Sequence, residues 1–178
     1  MEPEFTSIET FISELTSVLS QKNVCLVLRA IPGSGKSYVT KQLKETLGNK
    51  YSVVSVSADD YFVDPATGVY KFDIEKIGNA HGHSRYCFDK AQETKTNVVI
   101  VDNTNLKSRD WKYYKNVSVE KGYAVYVLNV VCDAQVAFKR QTHGVPASTH
   151  EAMANLFNIG LKTPSNDENV TTRNIKNG

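Results

Sequence analysis

Residues 24–47 read VCLVLRAIPGSGKSYVTKQLKETL, and this stretch decides the fold. Val24–Leu28 is a short, β-rich apolar run, whereas Val39, Leu43, Thr46 and Leu47 recur at helical spacing, with Gly33 and Gly35 between the two patterns. Strand, glycine loop and helix in that order frame a match to the phosphate-binding loop G-x-x-x-x-G-K-[ST] over residues 30–37, AIPGSGKS. Every fixed position matches except the first, where Ala30 stands for glycine. Pro32, Gly33, Ser34, Gly35, Lys36, Ser37 and Tyr38 are therefore the expected nucleotide-binding residues. The two glycines let successive N–H groups turn toward phosphate oxygens, Lys36 can reach the β- and γ-phosphates, and the Ser37 hydroxyl can sit on Mg²⁺. A methyl at position 30 is tolerable where that residue's φ is negative and strained where it is positive.

Working outward, the same alternation repeats. Ile8, Phe11, Ile12, Leu15, Val18 and Leu19 mark an amphipathic opening helix, with Thr6 and Glu9 spaced as a capping box. Strands are expected over 51–56, 98–101 and 123–131, and helices over about 73–94, 108–121 and from Asp133 through Lys139-Arg140 to His143-Gly144. Ser148 and Glu151 are spaced to cap a last helix running to about Ile159, and residues 64–72, DPATGVYKF, read as a turn-rich loop. Apolar strands alternating with helices predict a P-loop NTPase-type three-layer α/β/α fold, with a mainly parallel sheet of four to five strands and a helical lid. The expected organisation is an amphipathic helix over 1–22, a kinase-like domain over 23–162, and a polar, disordered tail over 163–178.

Composition excludes several classes. With 178 residues, 40% hydrophobic and 22% charged, the chain reads as one ordinary globular domain, neither disordered nor collagen-like. No run approaches the roughly 20 apolar residues of a membrane span, and MEPEFTSIET is acidic where a signal peptide is basic, so an intracellular protein is expected. Cys25, Cys87 and Cys132 form no CxxC pair, which speaks against a disulfide framework or a zinc site; Cys25 and Cys132 are expected in the core. A net charge of +2 rules out a broad basic coat, so any nucleic-acid contact must be local.

A P-loop alone does not name a reaction. The guanine-reading Asn-Lys-x-Asp of a GTPase is missing from the sequence, and a motor or AAA-type ATPase needs more chain than this. A kinase needs a carboxylate to orient the attacking hydroxyl and take its proton, and in open α/β sheets such groups sit at the C-terminal strand ends. Asp59, Asp60 and Asp102 qualify by position, with Asp59 the expected base. Asp60 can instead cap the next segment, and Asp102 can act on Mg²⁺ or its waters together with Ser37. Arg140 is the candidate lid cation for the charge developing on the phosphates, against the alternative that Lys139-Arg140 is a solvated basic pair.

The segments LRAIPGSGKS, SADDYF, Tyr70-Lys71-Phe72-Asp73, Ala80-His81, VDNTNL and Arg140…His143-Gly144-Val145 resemble the P-loop 5′-hydroxyl polynucleotide kinase family. The nearest pattern is the kinase domain of the Nedd-binding proteins, and phage polynucleotide kinase is a more distant one. The resemblance covers roughly residues 24–158 and implies transfer of the γ-phosphate of ATP, with Mg²⁺, to 5′-OH ends of DNA or RNA. It implies Asp59 as general base, Thr104 and Asn103 on the acceptor side, Arg140 as a lid arginine, and His143 at a basic position of the lid; Asp60 falls on the substrate side. One departure stands out: Phe62 occupies the place of an arginine that in the phage enzyme grips the acceptor's flanking phosphate. Arg85, Lys107 or Arg109, or a stacked Phe62 or Tyr61, are the candidates to replace it. Residues 104–143 carry seven Lys or Arg against three acids, a net of +4, as an oligonucleotide partner requires; basic helices facing solvent give the same excess. Competing readings are a small-molecule kinase and a nucleotide-binding module that has lost catalysis. An initial Met and a polar end favour a standalone kinase.

Overall fold

A computed structural model describes residues 2–177. Its centre is a five-stranded sheet, all parallel, in the order β2-β3-β1-β4-β5, built from β1 (Val24–Arg29), β2 (Val53–Val56), β3 (Val98–Asp102), β4 (Ala124–Val131) and β5 (Val170–Lys176). Central β1 is buried along its whole length because helices cover both faces, and its side chains divide by the two-residue period of a strand. Val24, Leu26 and Leu28 face α1 (Ile8–Leu19) and α2 (Lys36–Leu47), while Cys25 and Val27 face α3 (Ile77–Glu93) and α4 (Ser108–Glu120). Helices α5 (Ala134–Arg140) and α6 (Ala147–Lys162) close the end of the sheet beside the glycine loop, around Ile31, Ala137, Ala154 and Phe157. This is the expected three-layer P-loop architecture, with the strand count at the upper limit.

α1 buries Phe11 and Leu15 completely, and Phe11 meets Tyr126 of β4 edge-on at 6.0 Å. Each such side chain contributes about 1.5–3 kcal/mol of burial. The cap lies one residue later than the sequence pattern indicates: Ser7, not Thr6, accepts the Thr10 N–H at 3.0 Å. At α6 the expected Ser148 cap is replaced by Pro146, whose carbonyl accepts the His150 N–H at 2.9 Å, which places Ser148 inside the first turn. Cys25 is a core residue whose thiol burial pushes up to about 12, but Cys132 is only partly buried and receives Arg140 Nη1 at 3.9 Å.

The largest correction concerns the tail. Residues 170–176 are β5, paired in parallel along β4 from Val125–Val170 to Val131–Lys176, and not disordered. Ile175 is buried, Arg173 pairs with Glu14 of α1 at 2.9 Å, and Asn174 accepts the Thr6 N–H at 2.9 Å. The run Val170-Thr171-Thr172 and Ile175 is β-branched, so the strand was present in local propensity while its polar composition masked it. Met1 and Gly178, the outer ends of the expected terminal segments, lie outside the described residues.

Candidate functional site

The glycine loop leaves β1 at Arg29 and enters α2 at Lys36. Gly33 (φ 86°) and Gly35 (φ 94°) are both left-handed, a conformation that side chains disfavour, and Ala30 has negative φ, so its methyl is unstrained. Gly35 is the N-cap of α2 and makes no side-chain cap bond, which leaves first-turn N–H groups available to an anion. A Cβ on Gly33 would collide with the Ala137 carbonyl of α5, so α5 stands directly against the loop. His150 Nε2, on buried His150, lies 2.9 Å from the Pro32 carbonyl and braces the loop from α6.

Lys36 Nζ lies 3.6 Å from Asp102 Oδ1 at the end of β3, and Thr40 Oγ1 donates to Asp102 Oδ2 at 3.4 Å. Ser37 and Asp102 line one cavity of 290 Å³ together with Thr40 and Lys44. A hydroxyl and a carboxylate are hard oxygen donors of the kind Mg²⁺ takes alongside waters and phosphate oxygens, so these two residues could hold that ion. Tyr38, at the outer side of the first turn of α2, is exposed.

The acceptor-side candidates converge on Asp59. It sits in a short 3₁₀ helix over Ala58–Phe62 after β2, capped by Ser57, whose hydroxyl accepts the Asp59 N–H at 3.1 Å. Asn103 Oδ1 accepts the Ala58 N–H at 2.8 Å, so Asn103 anchors this turn to the end of β3. Tyr70 donates its hydroxyl to Asp59 Oδ1 at 3.3 Å, and His143 Nδ1 lies 3.6 Å from Asp59 Oδ2. The Tyr70 and His143 rings stack at 4.6 Å and 13°. Burial, then the Asp59 charge and the hydrogen bond to it, push the Tyr70 phenol up to about 12, so it remains a donor. Burial first, then the Asp102 and Asp59 carboxylates, raise the Asp60 carboxyl above the ordinary aspartate range, while Lys44 and His83 offset part of this. The turn is capped by Ser57 and not by Asp60.

His143 reaches Asp59 because its loop is held in shape. The Gln141 side chain bonds Val145 twice, Nε2 to the carbonyl at 2.7 Å and Oε1 from the N–H at 2.9 Å, around Gly144 at φ 71°. Arg140 ends α5, and its Nη1 approaches the Asn177 carbonyl at 3.5 Å; Asn177 Nδ2 in turn donates to the Ser34 carbonyl at 3.0 Å. The cation is thus exposed and one residue removed from the glycine loop. Thr104 touches the loop through its carbonyl, which accepts the Ala30 N–H at 3.1 Å, and buried Asn105 (φ 50°) ties the same turn to the Leu28 carbonyl at 2.7 Å.

Other expected residues stand apart. Arg85 of α3 lies over the Tyr113 ring of α4 at 4.8 Å, and Arg109 and Lys107 are exposed at the start of α4. Among the described residues, no hydrogen bond or ion pair joins these three to Asp59. Phe62 is buried in a small cluster with Ala58, Ala80 and Tyr70, while Tyr61 beside it is partly exposed. Tyr70, His150 and Asn177 were not assigned roles from sequence. Tyr70 was visible as part of the Tyr-Lys-Phe-Asp segment, and Asn177 lay in the supposed tail; His150 left no signal because its partner is a backbone carbonyl.

The chain is 38% identical over 102 residues to human NEDD4-binding protein 2, an alignment covering 57% of this chain and 6% of that protein, so it spans only a small fraction of that relative. A structure titled the Pnkp1/Rnl/Hen1 RNA repair complex superposes with a TM-score of 0.62 at 16% identity, covering 81% of this chain and 47% of the other. The APS kinase CysC of Mycobacterium tuberculosis, in complex with AMPPNP and APS, superposes at 0.53 and 15% identity, covering 74% and 75%. The likeness to both is one of fold, that of a P-loop unit. A profile described as the AAA domain matches residues 26–156. What is shared with that family is the P-loop core. From Leu26 within β1 to Leu156 within α6, glycine loop and Asp102 included, the chain belongs to the AAA domain family of P-loop proteins.

Proposed function

We propose that the chain is an ATP-dependent kinase that transfers the γ-phosphate to the 5′-hydroxyl end of DNA or RNA, in the manner of the polynucleotide kinase domain it resembles in sequence. The observation that carries this reading is the placement of Asp59, held by Tyr70 and His143 and linked through the His143 loop and α5 to the glycine loop. Asp59 Oδ2 accepts the proton of the attacking 5′-hydroxyl as the new O–P bond forms and the bond to the β–γ bridging oxygen breaks, releasing ADP. Lys36 leaves Asp102 for the β- and γ-phosphates, and Arg140 turns from Asn177 toward the bridging oxygen. Mg²⁺, held by Ser37 and Asp102, would supply charge neutralisation on the phosphates. Asp60 adds negative charge beside Asp102, and Thr104 and Asn103 shape the acceptor end of the turn.

The test is transfer from γ-labelled ATP with Mg²⁺ to 5′-OH oligonucleotides of DNA and of RNA. Transfer that drops about 10²–10⁴-fold in Asp59→Asn, with ATP binding kept, is the expected result. Absence of transfer to every oligonucleotide would refute the reading. APS kinase-like folding favours a second reading, a small-molecule acceptor, which labelled transfer to sugars or nucleosides in place of oligonucleotides would establish.

A further inference from the structure

Between α4, α6 and the loop that follows α6 lies a cavity of 530 Å³. Arg29, the last residue of β1, forms part of its wall, and none of Lys36, Asp59 and Asp102 lines it. We infer that this cavity is a second ligand site, outside the phosphoryl-transfer centre, for a small organic anion. The phosphate or carboxylate of that ligand lies at Arg29, Lys107 and Ser108, and its apolar body rests against Trp111 and Ile159. This goes beyond the kinase reading and does not depend on it.

Arg29 is a cation in the sheet core, only 5% exposed, and all its N–H groups donate to uncharged oxygens. Nε and Nη2 reach the Leu106 carbonyl at 3.2 and 2.8 Å, and Nη2 also the Leu156 carbonyl at 3.1 Å. Nη1 reaches the Phe157 carbonyl at 3.0 Å and Asn129 Oδ1 at 3.3 Å. Among the described residues it forms no ion pair. Burial pushes the guanidinium down to about 10, the Asp110 charge holding back part of that shift, so it stays charged at neutral pH. A charge taken out of water and surrounded by dipoles alone remains costly until an opposite charge joins it.

The wall of the cavity carries two cations, Arg29 and Lys107, and no aspartate or glutamate. Lys107 is exposed and, among the described residues, has no ion pair. Two acids follow close by in the chain. Asp110 accepts the Lys107 N–H through Oδ2 at 3.0 Å, and Asp167 pairs with Lys115 at 2.9 Å. Setting Asp110 against Arg29 and Lys107 still leaves one positive charge in excess. Because Arg29 has no N–H to spare, it supplies field, and the hydrogen bonds come from the Lys107 ammonium, the Ser108 hydroxyl and the first turn of α4. There the Ser108 and Arg109 N–H groups have no backbone acceptor among the described residues. The remaining wall is apolar, with Trp111 and Val127 inside, Leu156 37% exposed and Ile159 62% exposed. Apolar walls around a few converging polar groups, at this volume, suit an organic ligand larger than an inorganic ion.

Trp111 is the only tryptophan of the chain, so its fluorescence reports on this cavity. The protein is titrated with phenyl phosphate, benzoate, inorganic phosphate and, as the neutral counterpart, benzyl alcohol. A saturable change with phenyl phosphate or benzoate is expected, with a Kd of about 1 mM or below that is at least about tenfold tighter than for inorganic phosphate or benzyl alcohol. Whichever of the two anions binds more tightly identifies the head group. Ile159→Glu, at the exposed edge, sets a carboxylate against the anion and should weaken its binding about tenfold or more, and Lys107→Gln about threefold. Lys36→Ala should leave it unchanged. The inference is overturned by the lack of a saturable change with either anion, or by equal affinity for benzyl alcohol or inorganic phosphate. Indifference to both Ile159→Glu and Lys107→Gln overturns it as well, and so does binding that is lost in Lys36→Ala yet persists in Ile159→Glu. Since neither Asp59 nor Lys36 lines the cavity, failure here leaves the kinase reading standing.

Discussion

Tyr70→Phe removes one oxygen atom and leaves the ring. The lost contact is the hydroxyl that donates to Asp59 Oδ1 at 3.3 Å, while the 4.6 Å stack on His143 depends only on the ring. A hydrogen bond to a charged group contributes about 1.5–3 kcal/mol, and 3.3 Å is longer than the usual O–H···O range, so the lower end applies. If the bond aims the carboxylate at the attacking hydroxyl, kcat for oligonucleotide phosphorylation falls about tenfold, since each 1.36 kcal/mol is a factor of ten. KM for ATP stays as it was, because the glycine loop shares no contact with the lost hydroxyl, and the melting temperature moves by only a few degrees. The decisive measurement is a double-mutant cycle with Asp59→Asn. A hydroxyl that works through Asp59 loses most of its effect once the carboxylate is gone, giving a coupling of about 1 kcal/mol. The same loss in both backgrounds would refute the positioning role, and so would an unchanged kcat in Tyr70→Phe alone.

Gly35→Ala forces a side chain into φ 94° and against Asn177 Nδ2, so ATP binding should be lost or weakened more than tenfold by equilibrium titration, at a strain of about 1–2 kcal/mol. Deletion of residues 170–178 removes β5 and uncovers the β4 edge and the inner face of α1; a large fall in melting temperature is expected, whereas a disordered tail would leave it unchanged. Asn177→Ala should raise KM for ATP severalfold with little change in melting temperature, since it frees the Ser34 carbonyl without unpairing the strand. Asp60 has its carboxyl raised in the folded state, so its ionisation opposes folding above that range and the penalty is relieved as pH falls through it. Asp60→Asn should accordingly raise the melting temperature at pH 7 and lose that advantage in acid below the ordinary aspartate range; a gain independent of pH would contradict the carboxylate repulsion with Asp102 and Asp59.

The P-loop and the alternation of elements were legible because each rests on local chemistry. Gly33 and Gly35 adopt positive φ, Lys36 and Ser37 follow at once, and a short apolar run such as 98–101 suits a strand buried on both faces. Asp59 was legible as a carboxylate at a strand end, although nothing in its neighbours along the chain indicates that His143, far away in sequence, would stand 3.6 Å from it. Arg85 and Arg109 were named for their charge, and residue type did not indicate that Arg85 would lie on the Tyr113 ring while Arg109 stands exposed.

By itself the sequence determined the phosphate loop, the parallel α/β class and the identity of the strand-end carboxylates, since these follow from residue type at short spacing. Only the tertiary structure decided that β5 completes the sheet, that Asn177 and His150 brace the glycine loop, and that Tyr70 and His143 meet at Asp59. The physical reason is that backbone conformation and hydrophobic period are encoded within a few residues. A partner that arrives from another element depends on how strands and helices pack, and that is set by the whole core at once.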